Sequence, residues 1–373
     1  MSRLILIKTV ARDYHALVVA AALRELGCDP HIFSQSSLPG AGDFSIGGDW
    51  DDPEISAGRR SFLASSVKSF WNRRTARDFN FPPYAHPADH AHIEGSFSAA
   101  LTGMDEILGD AFNVNPPAAA KLTSNKINQL RHARASGLLA PPTLITSDLV
   151  AVQAFQERHG ALCMKPLSVY YWKDVDTIRA TMTRQVVAEQ LDVRAVSLVP
   201  AIYQPYVAKA YEVRLAVMGR TFIATRIGHL AGSAGEVDWR TDNSYLDRLG
   251  SVDTPDAVKK SARALMDRLG LKYGAFDFIV TPTGEWVFLE VNQGGQFAWQ
   301  EIHQPAMRII EPFARFLAEG RDDFLWDPAQ ASDALSHAAL QRQLEFLPNI
   351  ETLGTEPQPL DRSSHFDETG LAA

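Results

Sequence analysis

The chain has 373 residues, 46% hydrophobic and 21% charged, with a formal charge of −8. That length supports two or three domains with their own cores. The acidic balance argues against a general nucleic-acid binder, no run approaches the roughly 18 apolar residues of a membrane span, and two cysteines (Cys28 and Cys163) exclude a disulfide framework or a cysteine zinc cluster.

The N-terminus starts apolar but meets Lys8, Arg12 and Asp13 before a signal-like core can form, so the expected setting is the cytosol. Residues 4–10 read as a buried strand, 14–26 as a helix closed by Gly27, and 31–34 as a second strand. This β-α-β opening suits a parallel sheet. Residues 35–58 are rich in Gly, Ser, Asp and Pro and read as loop with one short strand. Arg59-Arg60 and Arg73-Arg74 with Arg77 are candidate contacts for an acidic ligand. Residues 87–108 read as a long helix.

Asn113-Val-Asn-Pro-Pro117 breaks the chain, and a boundary is expected after it. One helix over 118–136 carries Lys121 and Lys126. A strand at 143–146, a helix at 149–159 and a strand at 161–166 follow, the last carrying Lys165. Residues 168–195 show no periodicity. Strands are expected at 198–207, 212–217 and 220–227, a helix at 255–269 and a closing helix at 311–319. A further helix at 331–346 precedes a polar tail, 349–373, of disorder-like composition.

Two runs near the end form a hairpin: Gly274-Ala-Phe-Asp277-Phe-Ile-Val280 and Trp286-Val-Phe-Leu-Glu290-Val-Asn292, joined by a Thr-Pro-Thr-Gly turn. Alternation puts Glu290 and Asn292 on one face. With Val280 opposite Glu285, Asp277 falls opposite Phe288, on that same face and diagonal to Glu290. Carboxylates brought this close repel unless a cation lies between them, and all-oxygen donors suit Mg²⁺ beside substrate phosphates. Lys165, in an otherwise apolar strand, costs desolvation unless it meets an anion. Lys126 and Lys165 are thus candidate phosphate contacts. The stretch Gln204-Pro-Tyr206-Val207 can hold a purine ring. Glu212 can accept from ribose hydroxyls, and Arg214 can fork onto a phosphate or carboxylate.

In this order the elements resemble the ATP-grasp ligases, and more closely the microviridin-type graspetide synthetases, which cross-link ribosomally made peptides. The resemblance covers about residues 1–320. Its motifs are Phe70-Trp-Asn-Arg-Arg74, Tyr203-Gln-Pro-Tyr-Val-Ala-Lys209, Glu212-Val-Arg214, Val237-Asp-Trp-Arg240, Leu271 to Asp277 and Val287 to Trp299. It implies a three-part α/β fold: an N-terminal parallel α/β domain (1–117), a central α+β lid domain (118–196) and a C-terminal α+β catalytic domain with an antiparallel sheet (197–325). A helix and tail (326–373) lie outside it.

The resemblance further implies that Lys126 and Lys165 hold ATP phosphates and that Gln204, Tyr206 and Val207 frame adenine. Glu212 then contacts ribose, and Asp277, Glu290 and Asn292 bind two Mg²⁺ ions. Arg214, Arg226 and Arg240 meet the carboxylate being activated. The implied partner is a precursor peptide with leader and core, the implied reaction an ester or amide cross-link through an acyl phosphate, and the implied assembly a homodimer. Other readings are a ligase adding a free amino acid or small amine to a carboxylate, and a non-catalytic nucleotide-binding regulator. Two stretches depart from the family pattern: the run after Lys165 lacks a glycine-rich loop, and Gln293-Gly-Gly stands where Pro-Asn-Gly is expected.

Overall fold

The computed structural model describes residues 4–39, 44–74, 79, 81–168, 171–173, 178–180, 182–228, 237–239 and 243–345. Expectations for Arg77, Arg240 and the tail 349–373 lie outside these residues.

Strand β1 (Leu4–Thr9) is buried along its whole length, as an unbroken apolar run covered on both faces must be. Asp13 caps helix α1 (Tyr14–Glu25) by accepting from His15 N. Strand β2 (Asp29–Ser34) then runs parallel to β1, completing the expected opening. Three short antiparallel strands follow: β3 (Phe44–Gly47) and β4 (Glu54–Ala57), where the sequence predicts loop with one strand over 35–58, and β5 (Ser61–Leu63) just beyond it. Strands this short show too few alternations to read. Strand β6 (Val67–Asn72), helix α2 (His90–Ile107) and strand β7 (Phe112–Val114) finish a parallel sheet of order β2-β1-β6-β7.

The single helix predicted over 118–136 is two: α3 (Pro117–Ser124) and α4 (Lys126–Ala135). Asn125 divides them, its side-chain oxygen accepting from Ile127 N at 2.9 Å and Asn128 N at 3.3 Å. An Asn cap satisfies N–H groups that a helix start leaves open, which stabilises the break. Lys126 therefore opens a helix instead of lying within one.

Next come β8 (Leu144–Thr146), α5 (Leu149–His159), β9 (Leu162–Pro166), β10 (Tyr171–Lys173), β11 (Ile178–Ala180), β12 (Arg184–Val186), α6 (Val193–Leu198) and β13 (Ala201–Pro205). Strands β10 and β11 pair with each other, while the central sheet has the order β12-β9-β13-β8. The stretch predicted to be irregular thus holds three strands and a helix. Strand β13, though beyond residue 196, belongs to the central sheet by its pairing with β8 and β9.

The last sheet contains β14 (Tyr211–Met218), β15 (Thr221–Ile227), β16 (Leu249–Ser251), β17 (Tyr273–Val280) and β18 (Trp286–Asn292), all antiparallel in the order β16-β15-β14-β17-β18. Helix α7 (Asp256–Leu269) lays Ala262, Leu265, Met266 and Leu269 on one face of it, where Val213, Phe276 and Phe288 are fully buried. Burying each such side chain stabilises the fold by about 1.5–3 kcal/mol. Helices α8 (Ala298–His303), α9 (Ile310–Glu319) and α10 (His337–Glu345) close the chain. One core joins Ile5, Ile7 and α1 of the first sheet to Ala275, Phe297 and Phe313, so the first and last sheets share packing. Among the described residues no helix is long and apolar enough to cross a membrane.

Candidate active site

The site begins at the β17–β18 hairpin. The sequence predicts Asp277 diagonal to Glu290; the structure pairs the two directly. Val280 faces Trp286 and Phe278 faces Phe288, and the register then slips by one residue at Leu289. This is a β-bulge, which inserts one residue and re-aims its neighbours. It lets Phe288 and Val291 reach the core, while Leu289 and Glu290 both line the cleft with Asp277. Asn292 completes the group: Nδ2 donates to Asp277 Oδ2 at 3.2 Å and to Glu290 Oε1 at 3.4 Å. The expected shared face of Asp277, Glu290 and Asn292 is present, with tighter pairing than predicted.

Strand β14 supplies the next two groups. Arg214 lies directly across from Asp277, and its Nη1 donates to both carboxylate oxygens at 2.7 Å. Its Nη2 donates to Gln296 O at 3.4 Å, and its buried Nε has no hydrogen-bond partner. Glu212, two residues earlier and so on the same face, is paired with Lys209. Burial pushes the Glu212 carboxyl up to about 7, against the downward pull of Lys209 and with a further upward push from Asp238 and Asp277.

Arg226 is elsewhere. On β15 it pairs with Val213 of β14, whose side chain is in the α7-facing core. Directly paired residues share a face, so Arg226 lies on the opposite side of the sheet from Arg214. It is exposed, with its guanidinium over the Tyr211 ring at 4.6 Å. The structure thus does not bring Arg226 to the cleft, and Arg240 lies outside the described residues.

Helix α4 and the central sheet form the other wall. Lys126 Nζ stands 3.5 Å from Glu290 Oε2 and donates to Pro166 O at 3.2 Å. Lys165 on β9 lines the cleft beside it. Burial pushes the Lys165 ammonium's pKa down, with the Glu290 carboxylate pulling the other way. Gln204 on β13 is buried and donates to Thr143 Oγ1 at 2.9 Å. Tyr206 N donates to Ala161 O at 2.7 Å, holding the strand end where Tyr206 and Val207 border the cleft.

The cleft encloses about 780 Å³ of empty space, solvent at its mouth included. It contains all the predicted nucleotide contacts plus Asp277 and Glu290. Residues given no role from sequence also line it: Cys163, Lys209, Asp238, Trp239, Ile279 and Leu289. Ile279 was legible, because it sits two residues after Asp277 on the same strand face. Leu289 was not, since only the bulge turns it inward.

No protein-family model matches the chain, and no curated protein does. Solved structures do. A RiPP-associated ATP-grasp ligase of Chryseobacterium gregarium, in complex with ADP and a leader and core peptide, matches with a TM-score of 0.78 and 22% identity, covering 86% of this chain and 97% of that one. The macrocyclase MdnC of Microcystis aeruginosa MRC, bound with precursor peptide MdnA, matches with a TM-score of 0.71 and 25% identity over 85% and 99% of the two chains. The chain has the ATP-grasp fold. A third match is the ATP-grasp ligase PsnB, complexed with a phosphomimetic variant of its minimal precursor, Mg and ADP. Its TM-score is 0.66 at 21% identity over 86% and 99%.

In this ATP-grasp chain the donor set can be tested against a metal directly. Among the described residues no group of three or more His, Cys, Asp or Glu side chains is placed to hold one. The hairpin instead offers two carboxylates and an amide, all-oxygen donors of the kind that Mg²⁺ takes when substrate phosphates and water complete its shell. The residues present therefore fit magnesium.

Proposed function

We propose that the chain is an ATP-dependent carboxylate–amine or carboxylate–hydroxyl ligase. It activates Asp or Glu side chains of a ribosomally made precursor peptide and joins them to Ser, Thr or Lys side chains. The observation that carries this reading is the meeting of Lys126 and Lys165 with Asp277 and Glu290 in one cleft, in a fold matched by a peptide-bound ATP-grasp ligase and a peptide-bound macrocyclase.

Lys126 and Lys165 bind the phosphates of ATP. Lys165 makes no hydrogen bond or ion pair among the described residues, and an anion offsets the cost of burying its charge. Gln204, Tyr206 and Val207 border the base and Glu212 accepts from the ribose. Asp277, Glu290 and Asn292 hold magnesium, which when bound neutralises charge on the transferring phosphoryl group. Arg214, its Nη1 held by Asp277, orients the substrate carboxylate with its remaining donors.

A carboxylate oxygen attacks the γ-phosphorus, its O–P bond forms and the bond to ADP breaks. A hydroxyl or amine then attacks the acyl carbon. The new C–O or C–N bond forms, phosphate leaves with the old oxygen, and the nucleophile gives up its proton. No protein nucleophile is required.

The test is intact-mass measurement of candidate precursor peptides rich in Ser, Thr, Asp and Glu, incubated with the enzyme, ATP and Mg²⁺. Loss of one water per link, with matching ADP release, is expected. An unchanged peptide mass alongside ligation of a free amino acid or amine would replace the peptide reading with the small-amine one. No turnover with any acceptor would leave a nucleotide-binding protein.

A further inference from the structure

Six consecutive residues after the last metal-binding candidate are each held by their backbone. Gln293 O accepts from Asn115 Nδ2 at 2.7 Å, Gly294 O from Arg73 Nη1, and Gly295 O from Tyr273 OH at 3.2 Å. Gln296 O accepts from Arg214 Nη2 at 3.4 Å. Phe297 N and Ala298 N both donate to His15 Nε2, at 3.0 and 3.1 Å. Arg73, Asn115 and His15 come from the region of the first sheet, more than 150 positions away in sequence by the spacings 221, 178 and 282. The segment is thus fastened to one sheet by its ends and to the other by its middle.

His15 is the unusual member. It is buried, and its ring packs edge-on against Phe297 with centroids 5.1 Å apart. Two N–H groups point at Nε2, so that atom carries the lone pair and the proton sits on Nδ1. Burial pushes the imidazole down to about 3, with Arg73, Arg74 and Arg214 adding to the shift and Asp13 opposing it. Burial thus favours the neutral ring. Asp13 is itself anchored by Thr9 Oγ1 at 2.6 Å and faced by Arg73 Nε at 3.3 Å.

We propose that His15 is a positioning residue for the carboxylate-binding side of the cleft: its Nε2 fixes the segment from Gln293 to Ala298, whose Gln296 carbonyl in turn sets Arg214. The proposal rests on the ligase reading above for what Arg214 does, but not for the contact itself. Arg214 has two anchors, Asp277 and the Gln296 carbonyl. Only the second depends on the first sheet. Losing it leaves the guanidinium attached to Asp277 yet free to turn about that contact, which degrades the aim of its remaining donors. The nucleotide wall, built from α4 and the central sheet, has no part in this chain of contacts.

Two variants separate acceptor chemistry from space filling. His15→Gln puts an amide oxygen where Nε2 stands, while His15→Met fills similar volume without a strong acceptor. Hydrogen exchange read by mass spectrometry reports Phe297 and Ala298 amides without substrate or metal. Slow exchange is expected in the wild type and in His15→Gln, and exchange faster by roughly 30-fold or more in His15→Met, with β17 amides unchanged. In the ligation assay His15→Met should raise the peptide KM roughly tenfold and leave the ATP KM unchanged, and His15→Gln should stay near wild type.

Equal behaviour of the two variants overturns the proposal, as does a parallel rise in both KM values. If His15→Met does not fold, wild-type exchange decides: unprotected Phe297 and Ala298 amides overturn it. A wild type that ligates nothing refutes the ligase reading instead, and the exchange result then stands by itself.

Discussion

The two walls of the cleft are built differently. On the hairpin wall each carboxylate has a side-chain partner: Asp277 holds Arg214 and Asn292 from the neighbouring strands, and Glu290 meets Asn292 on its own strand and Lys126 from the facing wall. Those strands are seven or eight residues long and stand on a core of fully buried Phe276, Phe278 and Phe288. The central wall rests on strands of three to five residues and a small separate core around Val152, Leu162 and Tyr203. One wall is preorganised by its own Arg214–Asp277 ion pair and the amide of Asn292, whereas the other offers cations and backbone edges on a lighter frame. Chemistry that needs fixed geometry belongs to the first, while short strands over a small core favour lower local stability in the second.

The largest effects should come from breaking the hairpin wall. Asp277→Asn and Glu290→Gln should each reduce ATP turnover at least about 100-fold. Their alanine variants should part company in stability. Asp277→Ala strands the buried Arg214 guanidinium, a loss of about 3–5 kcal/mol, whereas Glu290 lies at 22% side-chain exposure opposite an equally exposed Lys126 and its removal should cost under about 1 kcal/mol. Denaturant midpoints for the pair check this. Equal destabilisation would mean that the Arg214–Asp277 contact is not the structural one. On the other wall, Lys165→Met should also lower turnover about 100-fold while leaving stability level or slightly raised, since it removes a buried charge. A marked fall in its denaturant midpoint would show that Lys165 has a structural partner.

How far the sequence announced these walls depends on the kind of signal. Alternation by two is enough to place Asp277, Glu290 and Asn292 together, because apolar residues fill the other face. The bulge at Leu289 leaves no trace in that pattern: a strand with one extra residue has the same composition as one without. Asn125 carries a cap signal, but it sits in a run that is helical on both sides, so the periodicity masks the break. The strands of the central region are too short to show any period. The clamp on Gln293 to Ala298 was out of reach for another reason. His15 and Phe297 are 282 positions apart, and nothing local in either stretch announces the contact. The face of Arg226, by contrast, was available. The turn at Gly219 and Arg220 fixes Thr225 as the partner of Arg214, which sends Arg226 to the other side.

A medium effect tests the boundary between the walls. Glu212 is raised to about 7 from 4.5 by burial. The folded state therefore holds this proton more tightly than the unfolded chain does. Its contribution to stability is fully present below about pH 4.5 and is lost as pH rises through 7. Between pH 5.5 and 8.5 the wild type should lose about 1–2 kcal/mol that a Glu212→Gln variant does not. The comparison is of slopes, because the variant also leaves Lys209 without its carboxylate at every pH. Parallel slopes would show that Glu212 is ionised throughout and that Lys209 outweighs the burial.

The smallest effect is the most discriminating about faces. Arg226 and Arg214 are both arginines on adjacent strands, and they were expected to act together. The pairing puts them on opposite sides of one sheet. Arg226→Ala removes an exposed guanidinium stacked on Tyr211, a contact worth about 0.5–1 kcal/mol at such a site, and should change the peptide KM less than twofold. Arg214→Ala should raise the same KM at least about tenfold with a smaller change in nucleotide affinity. If the two variants instead impair ligation alike, a peptide must reach around the sheet edge to touch both faces. The hairpin wall would then be only half of the substrate's binding surface.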